Sequence, residues 1–533
     1  MTTCGEVLVE LMAGYGIDTV FGIPGVHTVE LYRGLPNSGI RHITPRHEQG
    51  AGFMADGYAR ATGKPAGCFI ITGPGLTNIA TAMGQAYGDS VPMLVIASTN
   101  YTQQLGMGGG RLHELPEQRR MLSSVSAFSH TLMRPDELPD VLARAFAVFN
   151  SARPRPVLIE LPLDIITAPG DHIRRRIVPV YAKPGPDPAK INEAAMLLHQ
   201  AKSPIVLLGG GVQNATDEAK AVVDALGAPV LLTTNAKGVL AADHPLNLGS
   251  VLPHPPILEA VREADAVLAV GTEIGETEHL LLDGSDPALT GKIVRIDIDA
   301  EQLTRNALPE IAILSDAGPA MKALADALSA LGPKPADTWR VEQLSSTTDD
   351  LLDARGKQHK KVFDAIFEAL PDAVIAGDST QPIYSANQFL RTAKTRSYFN
   401  SATGYGTLGY ALPAAIGAKI GRPDRPVIAF AGDGGLQFTI NEMASAREID
   451  LPVILIVWNN IGYQEIREYM GSRDLPQIGV DIYTPDFQTI ANGYGWTTGK
   501  AATLDDLMAK LKDAASSNGP TMIEIDEAEA LTW

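Results

Sequence analysis

Short, continuous apolar runs recur along the chain, at residues 68–71, 93–97, 205–208, 266–270, 427–431 and 453–457. Each is too short for a helix and apolar at alternate and intervening positions alike, as in a strand covered on both faces. Helix-compatible stretches separate them, for example 364–370. This alternation predicts repeated strand–helix–strand units and parallel sheets. A shorter strand is expected at 40–44, followed by a helix running from Glu48 through Ala59. The 51 glycines and 37 prolines of a chain that is still apolar supply the turns between elements.

Two stretches interrupt the pattern. One spans 174–188, where Arg174-Arg175-Arg176 precedes Pro179, Pro184, Pro186 and Pro188; the other spans 332–361, with Pro333, Pro335 and a polar run at 345–353. Read as linkers, they leave blocks at 1–172, 188–331 and 355–533. The expected class is α/β, as three consecutive open parallel-sheet domains of Rossmann-like or flavodoxin-like form. At roughly 150 residues per domain, 533 residues fit three or four domains.

Composition narrows the function. With 45% hydrophobic and 20% charged residues, the chain can bury large cores. A net charge of −18 makes it a poor partner for nucleic acid, which needs clustered cations. Two cysteines, Cys4 and Cys68, exclude a disulfide scaffold or a Cys-rich metal site. No leader-like segment or long apolar span is seen, so a cytoplasmic protein with no membrane contact is expected.

Candidate chemistry lies just beyond strand ends, where open α/β sheets bind ligands. Gly432-Asp433-Gly434-Gly435 follows the 427–431 run, and Asn459-Asn460-Ile461-Gly462 follows the 453–457 run. Asp433 and Asn460 are 27 residues apart, about one helix plus one strand, so adjacent parallel strands would bring them together. A carboxylate, an amide oxygen and a backbone carbonyl form a hard oxygen set that suits Mg²⁺ and a substrate's phosphates. The glycines would let backbone approach a diphosphate. The alternative is a plain turn. Dinucleotide fingerprints fail at the third glycine in both Gly209-Gly210-Gly211-Val212-Gln213-Asn214 and Gly432-Asp433-Gly434-Gly435-Leu436-Gln437. In the first block, Arg46-His47-Glu48-Gln49-Gly50-Ala51 puts an acid in a helix's first turn, which the macrodipole alone would favour.

The Gly-Asp-Gly and Asn-Asn pair resembles the thiamin-diphosphate motif of the family that includes acetohydroxyacid synthase, benzoylformate decarboxylase and pyruvate decarboxylase. The resemblance runs through nearly the whole chain, as pyrimidine-binding (1–172), central (188–331) and diphosphate-binding (355–533) domains. It implies that Asp433, Asn460 and the Gly462 carbonyl hold Mg²⁺, with Gly432, Gly434 and Gly435 beside the diphosphate. It implies that Glu48 bonds the aminopyrimidine and triggers formation of the C2 ylid. That ylid attacks a 2-oxo acid, and an enamine remains after CO₂ leaves. Ser401 to Gly409 resembles the pyrimidine support, with the Gly406 carbonyl as acceptor and Leu408 as the apolar wedge. Gln381 matches a position near the diphosphate, although Pro382 stands where a histidine is often found. Thr72-Gly73-Pro74-Gly75-Leu76-Thr77-Asn78 matches the synthase-like branch, and Thr72 and Asn78 are expected at the cofactor. The family places the cofactor between subunits, so a homodimer or homotetramer is implied.

The substrate is less directly written. No His-His dipeptide occurs, and Ile466 stands where pyruvate decarboxylases carry a glutamate. The loop containing His113, Glu114 and Glu117 departs from the synthases, and a carboxylate there would suit a guanidinium; solvated loop charge is the bland alternative. The chain most resembles 5-guanidino-2-oxopentanoate decarboxylases, which yield 4-guanidinobutanal and CO₂. His27, His113 and His254 are candidate proton donors. The central block resembles the synthases' FAD domain but lacks an R-F-D-D-R stretch, which weighs against flavin. The rivals are an acetolactate-synthase-type carboligase, a catalytically silent relative, and an NAD(P)-dependent dehydrogenase.

Overall fold

The computed structural model describes residues 2–178, 182–279, 289–348 and 351–533. Among these the alternation forms three six-stranded parallel sheets. The first has the order β2 (Arg41–Ile43), β1 (Thr19–Gly22), β3 (Ala66–Ile70), β4 (Met93–Thr99), β6 (Val157–Pro162), β5 (Phe128–Thr131). The second runs β12 (Ile311–Leu314), β11 (Lys292–Asp297), β10 (Ala266–Val270), β7 (Ile205–Leu208), β8 (Val230–Leu232), β9 (Asn247–Gly249). The third runs β14 (Tyr398–Asn400), β13 (Val374–Gly377), β15 (Val427–Gly432), β16 (Val453–Asn459), β18 (Thr521–Asp526), β17 (Thr497–Lys500). Inner strands such as β3, β4, β10 and β15 are buried along their whole length, which is why they read as unbroken apolar runs.

The order of each sheet reverses at one point: between β1 and β3, between β7 and β10, and between β13 and β15. Ligands gather at such switch points, beyond the carboxyl ends of the strands. In the first sheet the residues delivered there are Gly25 to His27 and Thr72. In the third they are Asp378 and Asp433. In the second the two loops fill the place themselves: a Cβ on Gly209 would lie 2.1 Å from the Gly271 carbonyl oxygen, and Gly211 N donates to that oxygen at 3.1 Å. These glycines serve backbone contact, not a helix-opening fingerprint.

The polar stretch expected as a linker at 332–361 is largely helical, with helices Thr338–Ser346 and Ala354–Ala369. Asp337 and Asp353 cap them by accepting from Arg340 N and Gly356 N. Each buries one narrow face, so the composition reads as loop while the backbone is helical. The helix expected at 364–370 therefore starts ten residues earlier. Residues 349–350 of this stretch, 179–181 of the other, and 280–288 of the central block lie outside the described residues.

The chain packs into two units. One comprises Met1–Tyr181, Ala373–Thr380 and Asn400–Glu529, and the other Ala182–Asp372, Gln381–Phe399 and Ala530–Trp533. The first sheet and strands β13 and β15 to β18 of the third thus share a unit. Helix Glu48–Thr62 packs on helix Ala411–Gly421 through glycine: a Cβ on Gly57 would meet the Ala414 oxygen at 2.0 Å, and one on Gly417 the Met54 oxygen at 1.8 Å. The second sheet carries its own core, including Val206, Leu268, Val294 and Leu324.

Candidate active site

β15 and β16 pair in parallel with Gly432 opposite Trp458, so the two polar strand ends are adjacent, as the 27-residue spacing implies. Asp433 is buried and its two oxygens differ. Oδ2 accepts from Gly462 N at 2.8 Å and the Thr484 hydroxyl at 3.2 Å. Oδ1 is buried with no hydrogen-bond partner among the described residues. Burial pushes the carboxyl's pKa up, and N–H groups of Gly462, Asn460 and Gly434 partly oppose it. A buried, unpaired carboxylate oxygen is costly unless something binds it. Ile461 and Gly462 turn the chain at φ +60° and +120°, aided by Asn459, which accepts from Ile461 N. This leaves the Gly462 carbonyl oxygen 3.6 Å from where a Gly434 Cβ would sit. Among the described residues no cluster of three His, Cys, Asp or Glu gathers as a metal cage; the donors here are one carboxylate, one amide and a carbonyl.

The three glycines are explained by their neighbours. A Cβ on Gly432 would meet Thr380 Oγ1 at 2.8 Å, one on Gly434 the Tyr463 ring at 2.7 Å, and one on Gly435 the Asp378 carboxyl at 3.2 Å.

Glu48 is the first residue of helix Glu48–Thr62, where His47 caps by accepting from Gln49 N. Its carboxylate is half-buried, and Oε2 accepts from Asn78 Nδ2 at 2.9 Å. Gly75 leaves room for it, since a Cβ there would lie 3.3 Å from Glu48 Oε1. The seat of this helix is fixed from the third block. Glu442, fully buried, accepts Arg46 N on both oxygens at 3.0 and 3.1 Å, and Ser445 donates to it at 2.6 Å. Burial raises the pKa of Glu442 while these donors lower it. Sequence reasoning missed Glu442 because its partner lies 396 residues away; its only sequence signal is an acid on the buried face of a helix beside Met443, Ser445 and Ala446.

The 401–409 loop follows β14. Gly406 has φ +75° and open space around it, so glycine is required there by conformation rather than room. Leu408 is half-buried. The loop ends on Asp378, another residue missed from sequence, whose Oδ2 accepts from Gly409 N at 2.9 Å and Oδ1 from Ser379 N at 2.9 Å. Its carboxylate thereby closes the start of helix Ala411–Gly421, and burial raises its pKa to about 6. Gln381 is buried at the start of helix Gln381–Phe389 and belongs to the second unit.

Two of the proposed donors meet: His113 Nδ1 lies 3.2 Å from His27 Nδ1, so one ring nitrogen donates and the other accepts. Burial, then the neighbouring His113, holds the His27 pKa below the ordinary value. His113 sits at φ +59°, with Thr72 Oγ1 3.1 Å from its carbonyl oxygen and 2.7 Å from Gln118 Oε1. Gln118, buried and unforeseen, also accepts from Gly73 N and donates to Glu160. His254, in the second unit, contacts the Thr347 carbonyl. Glu114 is largely committed to its own loop, accepting from Arg111 N at 2.9 Å and Gly109 N at 3.3 Å; these bonds lower its pKa. Glu117 is exposed, and Ile466 is exposed on helix Gln464–Ser472. Glu114, Glu117 and Glu160, with Arg119 the one cation, line an open polar pocket of about 290 Å³.

Three stretches match family descriptions: thiamine pyrophosphate enzyme, N-terminal TPP binding domain, at 2–121; the central domain of the same enzymes at 191–324; and their C-terminal TPP binding domain at 378–525. The chain is 44% identical to a probable 2-ketoarginine decarboxylase, AruI, of Pseudomonas aeruginosa, over 99% of this chain and 94% of that one. It is 32% identical to a probable acetolactate synthase large subunit of Methanocaldococcus jannaschii, over 99% and 92%. It is 31% identical to the acetolactate synthase isozyme 1 large subunit of Escherichia coli, over 98% and 93%. Three matched domains in one order and full-length relatives at these identities make the chain a member of the thiamine pyrophosphate enzyme family.

Proposed function

We propose that the protein is a thiamin-diphosphate- and Mg²⁺-dependent decarboxylase of 5-guanidino-2-oxopentanoate (2-ketoarginine), releasing CO₂ and 4-guanidinobutanal. The observation that carries the cofactor reading is the orphaned Asp433 Oδ1 at the switch point of the third sheet. Together with Asn460 and the Gly462 carbonyl it offers Mg²⁺ the few hard oxygens that ion takes from protein, leaving positions for a diphosphate. Bound thiamin diphosphate would supply a carbon nucleophile and an electron sink for decarboxylation. Glu48, held by Asn78, would bond the ring nitrogen of the pyrimidine, and Gly406 and Leu408 would cradle that ring. Glu442 keeps the acid's helix seated. His27 and His113, paired through their Nδ1 atoms, would hold and deliver the proton that the remaining carbon takes up once CO₂ has left.

The substrate reading rests on 44% full-length identity to a probable 2-ketoarginine decarboxylase. The carboxylates around the 114–118 loop support it, because a net acidic wall favours a cationic tail. A site shared by two copies is supported by exposed apolar residues flanking site positions: Val26, Leu112, Tyr405 and Ile461 adjoin His27, His113, Gly406 and Asn460.

The test is a substrate panel. Purified protein with thiamin diphosphate and Mg²⁺ receives pyruvate and 5-guanidino-2-oxopentanoate in parallel, with CO₂ and products followed. Preference for the guanidino acid with aldehyde release supports the proposal. Preference for pyruvate with acetolactate formation favours the second reading, a carboligase, to which the acetolactate synthase relatives and apolar Ile466 point.

A further inference from the structure

Helix Pro74–Gly88 touches both Glu48 and the 401–409 loop of its own chain. Near its start Asn78 Nδ2 donates to Glu48 Oε2 at 2.9 Å. Seven residues on, Gln85 Oε1 accepts from Thr407 N at 3.3 Å, the amide between Gly406 and Leu408. Positions i and i+7 share a helix face and lie about 10 Å apart along the axis. Gln85 is fully buried, and its Nε2 donates to Asp89 Oδ2 at 2.5 Å. Asp89, which caps the helix, accepts the Thr403 hydroxyl on Oδ1 at 2.7 Å and Arg60 Nη2 on Oδ2 at 2.5 Å. Both ends of the 403–407 segment are therefore held from the first block.

The loop needs such anchors. Gly404, Tyr405 and Gly406 are exposed; the Tyr405 ring rests against Gly84, and beyond the adjacent residues no atom lies within 4 Å of where Cβ atoms on Gly404 or Gly406 would be. Left alone, a segment with two glycines samples many conformations, and ordering it on ligand binding costs affinity.

We propose that Gln85 and Asp89 are positioning residues: they pre-shape the 401–409 loop so that the Gly406 carbonyl and Leu408 are ready for the cofactor ring. By sharing a helix with Asn78, they tie that shape to the seat of Glu48. The inference rests on the thiamin diphosphate reading, and nothing in Gln85 or Asp89 touches reacting atoms.

The experiment titrates thiamin diphosphate, with Mg²⁺ present, into the cofactor-free full-length protein by calorimetry. Wild type is compared with Gln85→Met, which keeps the volume but loses both bonds, and Thr403→Val, which removes the loop-side hydroxyl only. The expected result is at least a tenfold weaker Kd for Gln85→Met and a several-fold weaker one for Thr403→Val. Apoprotein melting midpoints should stay within a few degrees of wild type. Hydrogen exchange of the 401–409 amides should quicken in both apoproteins. Wild-type Kd in the variants overturns the proposal, whatever their melting points. If Gln85→Met does not fold, Thr403→Val decides by the same criterion. If wild type itself binds no thiamin diphosphate, the functional reading falls instead. The loop assignment is then judged by exchange alone, with unchanged rates overturning it.

Discussion

At the scale of single residues, two carboxylates of one site carry separable duties. Glu48 is held by one amide donor and half-exposed, so replacing it with Gln keeps its shape and leaves the helix seat on Glu442 intact. The expected outcome for Glu48→Gln is a fall in turnover of roughly 100-fold or more, as for loss of an acid–base group. The melting midpoint should move little. Asp433 is the converse case. Its Oδ2 organises the 461–462 turn, while Oδ1 is left for a cation. Asp433→Asn should therefore raise the Mg²⁺ and thiamin diphosphate concentrations needed for half-maximal activity by roughly tenfold or more, while saturated turnover falls less. Activation curves after dialysis against a chelator measure this. The charged residues named by motif lie where the sequence implies, Asp433 directly after β15 and Glu48 at the start of the helix that follows β2. Those that motif reading missed, Asp378, Glu442 and Gln118, act chiefly on groups brought near by folding: Gly409 N, Arg46 N and Gly73 N lie 31, 396 and 45 residues away. No local spacing encodes those three contacts.

At the scale of elements, short buried strands were legible because burial on both faces writes itself as an unbroken apolar run. The helices within 332–361 were not, because a narrow buried face leaves a polar composition. Also hidden was the crossing of Glu48–Thr62 with Ala411–Gly421. Its signal is glycine at 57 and 417, residues that lower helix propensity unless close approach requires them. The backbones meet where a Cβ would be, 1.8 Å from a carbonyl oxygen at Gly417. A backbone atom cannot rotate away as a side chain can. Gly417→Ala should thus cost about 1–3 kcal/mol or more despite its better propensity. Because helix Glu48–Thr62 carries the acid and helix Ala411–Gly421 follows the 401–409 loop, cofactor affinity should fall with stability. Denaturant unfolding and calorimetry on the same preparation would reveal the paired loss. An unchanged midpoint would mean the crossing tolerates separation.

At the scale of the whole molecule, buried carboxylates add to the fold's pH dependence a part opposite to the usual acid denaturation, while burial of His359 and Lys237, which lowers them to about 4 and about 7, adds a part of the other sign. Burial is the largest influence on Asp378 and Glu278, and it lifts them to about 6 and about 7. It also raises Glu160 and Glu442. Unfolded, such groups titrate near 4. Between about pH 4 and 7 each of these carboxyls therefore holds its proton longer in the folded state, and its contribution to stability falls as pH rises through that window. The contribution is complete below about pH 4 and lost above about 7. For Asp378 alone it is at most on the order of 3 kcal/mol, at 1.36 kcal/mol per unit. The net charge of −18 pushes in the same direction, since self-repulsion grows as acids ionise. The part owed to Asp378 is isolated by melting cofactor-free wild type and Asp378→Asn from pH 4 to pH 8 in buffers of equal ionic strength: wild type should lose stability relative to the variant as pH rises. Asp378→Asn cannot ionise, and its one side-chain oxygen can keep only one of the bonds from Ser379 N and Gly409 N, so it should melt below wild type at pH 4 and the gap should close towards pH 8. A gap that instead widens in wild type's favour from pH 4 to 8 would mean that hydrogen bonding to the Asp378 carboxylate outweighs its burial.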